Sequence, residues 1–417
     1  MLAVSLHVLR RLLVGAALAL LATGEASADS MRQHTPWFRT GLETAEDWVV
    51  TVQAADADTV VVKSRQRLSS QPLRHITVLY PRPSSAYDTA ISQMLEVLSD
   101  KKVDVEIVVT NFALSDARGQ AALRAAERNN HDLVVAMGSE ATAWLWQNYR
   151  NGRIPVVTVC SKDPVMLGQV KDYTSGSGTN FAFTSLNLPL DVQMQSVFML
   201  RPGLKNLAIL VDGNNLSAMQ TQAVPLKQYA VARGIHVIDL VLKSTTNAKE
   251  QVGDLVHDAV QMMRRNDPDF KDSLFWITGS TAVFDQIQAI NAHAYRVPVL
   301  STVTDVVQAG DNSAVLSIGV SFESNAHVAA LIAIDVLDKR RKAGDIPVGV
   351  VSPPDIAVNF RKAREIGLKI PFALFEGASI VYDNEGKLAR SNGRDVTTGA
   401  GSETDPSKAP DNGAAKK

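Results

Sequence analysis

Residues 76–80 read ITVLY, 103–109 VDVEIVV, 133–136 LVVA and 156–159 VVTV. Apart from Asp104 and Glu106 in the second, these runs are continuous rather than alternating, as strands buried on both faces of a parallel sheet require. Between the first two, Ile91, Met94, Leu95 and Leu98 recur at helical spacing and mark one face of a helix. The alternation from residue 75 onward predicts an α/β fold, with helices on both faces of a mostly parallel sheet. The pattern then restarts with LAILV at 207–211, a helix over 216–233, VIDLV at 237–241 and a helix over 248–264. LFWI at 274–277, a helix near 282–293 and VPVL at 297–300 complete it. Two successive halves predict two Rossmann-like lobes joined by a hinge, with the switch near Ser185. A helix over 326–342 carries Ala329, Ile332, Ala333 and Val336 on its inner face and is expected to cross back to the first lobe. Its end, Lys339-Arg340-Arg341-Lys342, suits the helix dipole and reads as a solvated terminus.

The flanks read differently. His7, Arg10 and Arg11 precede an apolar run from Leu12 to Ala22, and Ala26-Ser27-Ala28 follows, which together read as an export signal cleaved near Ala28. The run is too short to span a bilayer. Residues 29–72 hold Trp37, Trp48 and the β-rich Thr59–Lys63, and are expected to form a small N-terminal extension that packs on a lobe or a partner. The first lobe is expected over 73–185, completed by about 304–345, and the second over 186–303 with part of 346–384. Residues 385–417, rich in Gly, Ser, Thr, Asp and Lys, are expected to be a disordered tail.

Of 42 basic and 43 acidic residues, cleavage would remove Arg10, Arg11 and Glu25 and leave 40 against 42. That near-neutral balance argues against a nucleic-acid partner. The single cysteine, Cys160, cannot form an internal disulfide, so stability must come from core burial, which a chain with 46% apolar residues can supply. No H-E-x-x-H, G-x-S-x-G, G-x-x-x-x-G-K or C-x-x-C occurs, and the eight His show no metal-site spacing. The reading therefore contains no catalytic residue, no metal and no cofactor.

What recurs is a short polar cluster just after each apolar strand: Ser84, Ser85 and Tyr87; Ser139, Glu140 and Thr142; Ser161, Lys162 and Asp163. The second half repeats it with Asn214, Asn215 and Ser217, then Ser280 and Thr281, then Thr302, Thr304 and Asp305. Ligands in such sheets bind outside the carboxyl ends of the strands, so these clusters converge on one cleft if the lobes face each other. Hydroxyls at helix N-termini serve as caps or as ligand contacts, and the backbone N–H groups there favour an anionic group. Tyr80, Tyr87, Phe183 and Trp276 could stack on a flat ligand or simply fill the core.

Several dispersed segments resemble the periplasmic substrate-binding family of ABC transporters whose members include tryptophan- and phenylalanine-binding proteins, a branch of the type 1 periplasmic binding fold. They are Val134–Ala141, Ile154-Pro155-Val156-Val157 leading to Lys162-Asp163-Pro164-Val165, Asn180, Leu210–Ser217, Val297-Pro298-Val299, Gly319-Val320, Asn359, Ala363, Gly367-Leu368 and Ile370-Pro371. The resemblance covers roughly residues 73–375. It implies a ligand held between the lobes, its carboxylate on the first and its ammonium on the second. By position, Ser84, Ser85, Tyr87, Ser139, Glu140, Ala141 and Thr142 would be first-lobe contacts, with Asp163 and Phe183 near the hinge. Where the family often shows Thr-Asp-Asn-Thr this chain has Thr278-Gly279-Ser280-Thr281, and Gly319-Val320-Ser321-Phe322 replaces Gly-Val-Asp-Tyr. Both changes remove an acid and argue against an α-amino acid, unless Glu323 or Asp305 compensates.

The expected function is capture of a small organic solute by hinge closure and delivery to an ABC permease in the periplasm. The alternative is a sensory protein of the same fold that signals to a membrane receptor such as a histidine kinase, favoured by residues 29–72 and the second-lobe departures. The expected partners are the small molecule and the permease or membrane sensor, and the protein is expected to be a monomer.

Overall fold

Burial of the apolar runs produces two sheets, one per lobe. The computed structural model describes residues 31–66 and 72–396; the expected signal segment, residues 1–28, lies outside the described residues. The first sheet contains β3 (Trp48–Gln53), β4 (Asp56–Ser64), β5 (Arg74–Tyr80), β6 (Val105–Asn111), β7 (Leu133–Met137), β8 (Val156–Val159) and β9 (Phe181–Ala182), in the order β3-β4-β6-β5-β7-β8-β9. β5 to β9 are parallel to one another, and every residue of β7 and β8 is buried. The second holds β10 (Asn206–Asp212), β11 (His236–Leu242), β12 (Ser273–Ile277), β13 (Val299–Ser301), β14 (Leu316–Gly319), β15 (Asp355–Asn359), β16 (Ile380–Tyr382), β17 (Leu388–Ser391) and β18 (Arg394–Asp395). Its order is β11-β10-β12-β13-β14-β15-β16-β17-β18, with β10 to β14 parallel.

The N-terminal extension packs on the first lobe. β3 and β4 add to the sheet edge, antiparallel to β6, while β1 (Met31–Thr35) and β2 (Phe38–Gly41) form a hairpin lying on helix Ser85–Asp100. There the Arg39 N–H donates to Asp88 Oδ1 at 3.0 Å and the Gly41 N–H to Ser92 Oγ at 2.8 Å. Trp37 and Phe38 meet Tyr80 at ring separations of 5.8 and 6.0 Å. Three expected spans change. The chain between 385 and 396 is ordered, because β17 and β18 make an antiparallel hairpin that pairs β17 with β16. The helix expected over 216–233 is broken into Leu216–Ala218, a π turn at Met219–Ala223 and Val224–Val231, since Pro225 can donate no N–H to the Thr221 carbonyl. The long helix runs over Phe322–Leu337, capped by Ser321 Oγ, and stops before the basic run, where Lys339 turns into the left-handed region. It packs on helix Ser85–Asp100 and β8, so it does cross to the first lobe.

The chain passes between the lobes at 183–189, 319–322 and 349–355. Backbone that leaves a sheet ladder inside a protein must find other hydrogen-bond partners. Fully buried Asn325 supplies them: its Oδ1 accepts from the Cys160 N–H at 2.8 Å and from Thr184 Oγ1 at 3.2 Å, while its Nδ2 donates to the Ser185 carbonyl at 3.1 Å. Asn187 ties the two lobes directly, accepting from the Asp163 N–H at 3.1 Å and donating to the Thr221 carbonyl at 2.9 Å. That carbonyl is the one Pro225 leaves without a helical partner.

Two outcomes follow from these contacts. Asn325→Ala leaves the buried Cys160 N–H and Ser185 carbonyl unpaired, while Thr184 Oγ1 keeps its bond to the Thr158 carbonyl, and is expected to lower stability by about 3 kcal/mol in chemical denaturation. Burial pushes the Asp88 carboxyl up to about 7, so the folded state holds more protons than the unfolded chain between about pH 4 and 7. Asp88 therefore contributes a loss of stability as pH rises through that window, and Asp88→Asn is expected to flatten the corresponding part of a denaturation-versus-pH profile.

Candidate functional site

The loops that leave the carboxyl ends of both sheets meet at one cleft. Arg82, Ala86 and Tyr87 after β5, Ser139 and Glu140 after β7, and Cys160 and Lys162 after β8 line its first-lobe wall. Asn215 and Ser217 after β10, and Gly279 and Thr281 after β12, line the other, with Leu186 and Phe322 from two crossovers. The space is about 410 Å³ including its mouth. At the rim, Ser84 Oγ of the first lobe lies 3.2 Å from Thr281 Oγ1 of the second. Ser84 is the N-cap residue of helix Ser85–Asp100, yet its hydroxyl makes no cap bond there and reaches across the cleft instead.

Local backbone shape aims these groups. Gly138 adopts φ +81° at the turn from β7 into helix Gly138–Asn148, and a β-carbon at 138 would strike the Tyr87 hydroxyl. That helix has no side-chain cap, so its first-turn N–H groups face the cleft end without one. Cys160, a non-glycine residue at φ +55°, turns the chain sharply at the end of β8. Such a conformation stores about 1–3 kcal/mol and persists where surrounding bonds hold it, here the Cys160 N–H to Asn325. The Ser139 hydroxyl oxygen accepts from the Lys162 N–H at 2.9 Å, anchoring Lys162 to the first lobe.

Charge in the cleft is uneven. Arg82 Nε pairs with Glu140 at 2.8 Å. Lys162 is 3% exposed, and among the described residues its Nζ makes no ion pair or hydrogen bond; it lies where a side chain at Gly279 would be. Burial lowers its ammonium to about 8. Ser161 Oγ and Ser280 Oγ, beside Lys162 and Thr281, are buried without a partner. Burial pushes the Cys160 and Tyr87 groups well above their ordinary values, so both stay protonated at neutral pH and Cys160 is no thiolate nucleophile.

Of the residues expected at the site, Tyr87, Ser139, Glu140, Asn215, Ser217 and Thr281 line the cleft, with Ser84 at its rim. Ser85, Thr304 and Asp305 line an adjoining cavity with Glu323 and Asp285, on the far side of Ala86 and Phe322. Burial raises Asp305 to about 6 there. Four expectations are corrected. Ala141 is core; the Thr142 hydroxyl donates to the Gly138 carbonyl at 2.8 Å; Phe183 stacks on Phe181 at 5.6 Å in an aromatic core with Trp146. Asp163 faces away from the cleft, its Oδ1 accepting from the Val165 and Met166 N–H groups and its Oδ2 from the Tyr173 hydroxyl. Tyr80 and Trp276 are core as well, so of the four candidate stacking rings only Tyr87 reaches the cleft. Arg82, Gly279 and Phe322 were not among the expected site residues, and Lys162, though in one of the polar clusters, was not singled out as a contact. A lysine three residues beyond the apolar run VVTV was the available signal for Lys162, because a lysine is almost never fully buried without a partner.

A family model described as ABC transporter substrate binding protein matches residues 75–381. Among solved structures, the ABC domain in complex with L-Trp from Streptococcus pneumonia is 21% identical at a TM-score of 0.60, covering 74% of this chain and 100% of that one. A conserved domain protein from Vibrio cholerae is 18% identical at a TM-score of 0.59, covering 74% and 99%. The ligand-free, open form of a substrate binding protein with adhesive properties from Clostridium difficile is 19% identical at 0.54, covering 72% and 96%. At these identities the structures establish the shared fold, that of two-lobed type 1 periplasmic binding proteins. No curated protein sequence matches the chain. With the family model spanning both lobes and the crossovers between them, the chain belongs to the ABC transporter substrate-binding proteins.

Proposed function

We propose that this protein captures a small organic molecule between its lobes and hands it to an ABC permease without altering it. The observation that carries the reading is the contact between Ser84 and Thr281, which bridges the rim of a polar cleft built from both sheets. The three crossovers are short, so hinge rotation about them would open that rim. The export signal read in residues 1–28 would put this work in the periplasm. The cleft polar groups are hydroxyls, an amide and charges, and its one thiol stays protonated, which suits reversible binding. The sensory alternative gains no support from the relatives.

A thermal-shift screen of the purified protein against amino acids, aromatic acids, nucleosides and sugars is expected to give a defined class of hits. A solute at about a hundred times its dissociation constant stabilises the folded state by about 2.7 kcal/mol. Gly279→Leu drives a side chain into the cleft and is expected to abolish the shift while leaving the ligand-free melting profile cooperative. Deleting the gene is expected to abolish uptake of the hit solute by intact cells; uptake unchanged in the deletion strain would remove the permease from the reading.

A further inference from the structure

Among the described residues, Lys162 is the one cleft residue whose charge has no partner. Its backbone belongs to the first lobe, fixed by the bond from its N–H to Ser139, and its side chain extends to Gly279 of the second. An ammonium buried to this degree is normally paired, because removing a charge from water without a partner costs several kcal/mol. Here the nearest carboxylate in the cleft, Glu140, is engaged with Arg82 at 2.8 Å. Asp285, Asp305 and Glu323 line the adjoining cavity behind Phe322. Of the residues lining the cleft, Arg82 and Lys162 are cationic and Glu140 anionic; Asp212 and Asp285 also act on Arg82, whereas among the described residues no carboxylate pairs with Lys162. Two further observations point the same way. The helix Gly138–Asn148 begins at this wall without a side-chain cap, leaving first-turn N–H groups for an acceptor. Ser161 and Ser280, one on each lobe and next in sequence to Lys162 and Gly279, have buried hydroxyls without partners just behind the lining of the cleft, which does not include them.

We infer that the solute is a small organic anion whose anionic group sits on Lys162 Nζ between the lobes, with Tyr87, Phe322 and Leu186 against its apolar body. This rests on the solute-binding reading above and sharpens it. Burial leaves the Lys162 ammonium at about 8, so it is charged at neutral pH and ready to pair. The bound anion replaces the water and the protein partner that the ammonium lacks, and closure across Ser84 and Thr281 would bury the pair.

The test compares the full chain with Lys162→Met by thermal shift and calorimetry. The probes are phenylacetate, benzoate and inorganic phosphate, set against phenylacetamide, phenethylamine and phenylalanine. The inference expects the organic carboxylates, or phosphate if a phosphoryl group is the natural anion, to stabilise the wild type, with the neutral and cationic analogues at least about tenfold weaker. Lys162→Met is expected to lose the anion response by a similar factor. It is also expected to melt higher than the wild type without ligand, because a methionine of similar length removes an uncompensated buried charge. Stabilisation by phenylacetamide or phenylalanine equal to that by phenylacetate, or an anion response retained in Lys162→Met, overturns the anion inference and leaves solute capture standing. A Lys162→Met protein that melts lower, together with no response to any probe, makes the lysine a structural group and overturns the inference outright.

Discussion

Everything about this molecule depends on how a chain passes three times between two buried sheets, each parallel at its centre, without leaving its polar backbone unsatisfied. A strand inside a sheet finds its hydrogen bonds in its neighbours, but a crossover does not. Asn325 answers this with one amide that serves the end of β8 and the crossover at 184–185. Asn187 answers it again by linking the Asp163 N–H of one lobe to the Thr221 carbonyl of the other. Because the same bonds hold Cys160 in its left-handed turn, the hinge and the binding wall are one construction. The turn at Cys160 sends Lys162 into the cleft, and Asn325 is what keeps that turn in place.

The fold was legible because its strands are apolar without alternation. VVA at 134–136 and VVTV at 156–159 permit no solvent-facing side, so helices on both faces and a doubled α/β pattern follow. What the pattern hid are effects of single residues. Pro225 breaks a helix whose apolar spacing continues through it, and the left-handed Lys339 stops a helix before a basic run that looks like its natural end. The chain beyond 385 is polar enough to read as a tail, yet Leu388 and its neighbours extend the second sheet by pairing backbone, which composition does not report.

The candidate site was half legible for a related reason. Polar residues after each strand do converge, and Tyr87, Ser139, Glu140, Asn215, Ser217 and Thr281 were recoverable from position along the chain alone. Which of several adjacent polar groups faces the cleft depends on turn geometry that spacing does not reveal. Thr142 and Asp163 turn to their own backbone, whereas Lys162, between Ser161 and Asp163, turns inward. The replacement of acids in the second lobe gains meaning beside it. Where the family resemblance leads one to expect Asp, Gly279 leaves open the space that the Lys162 ammonium fills, so the polarity of that spot is reversed.

The central claim is that the cleft holds a charged lysine awaiting an anion, and it is most directly tested on that nitrogen. With lysine side chains labelled at Nζ with nitrogen-15, a pH titration of the ligand-free protein by NMR should show one resonance, absent in Lys162→Met, titrating near 8 and apart from the others. Cys160 is the neighbouring titratable group, and its thiol stays protonated across that range. If the resonance assigned to Lys162 instead titrates with the bulk of the lysines, the side chain is solvated or paired, and the cleft has no positive charge waiting for its ligand.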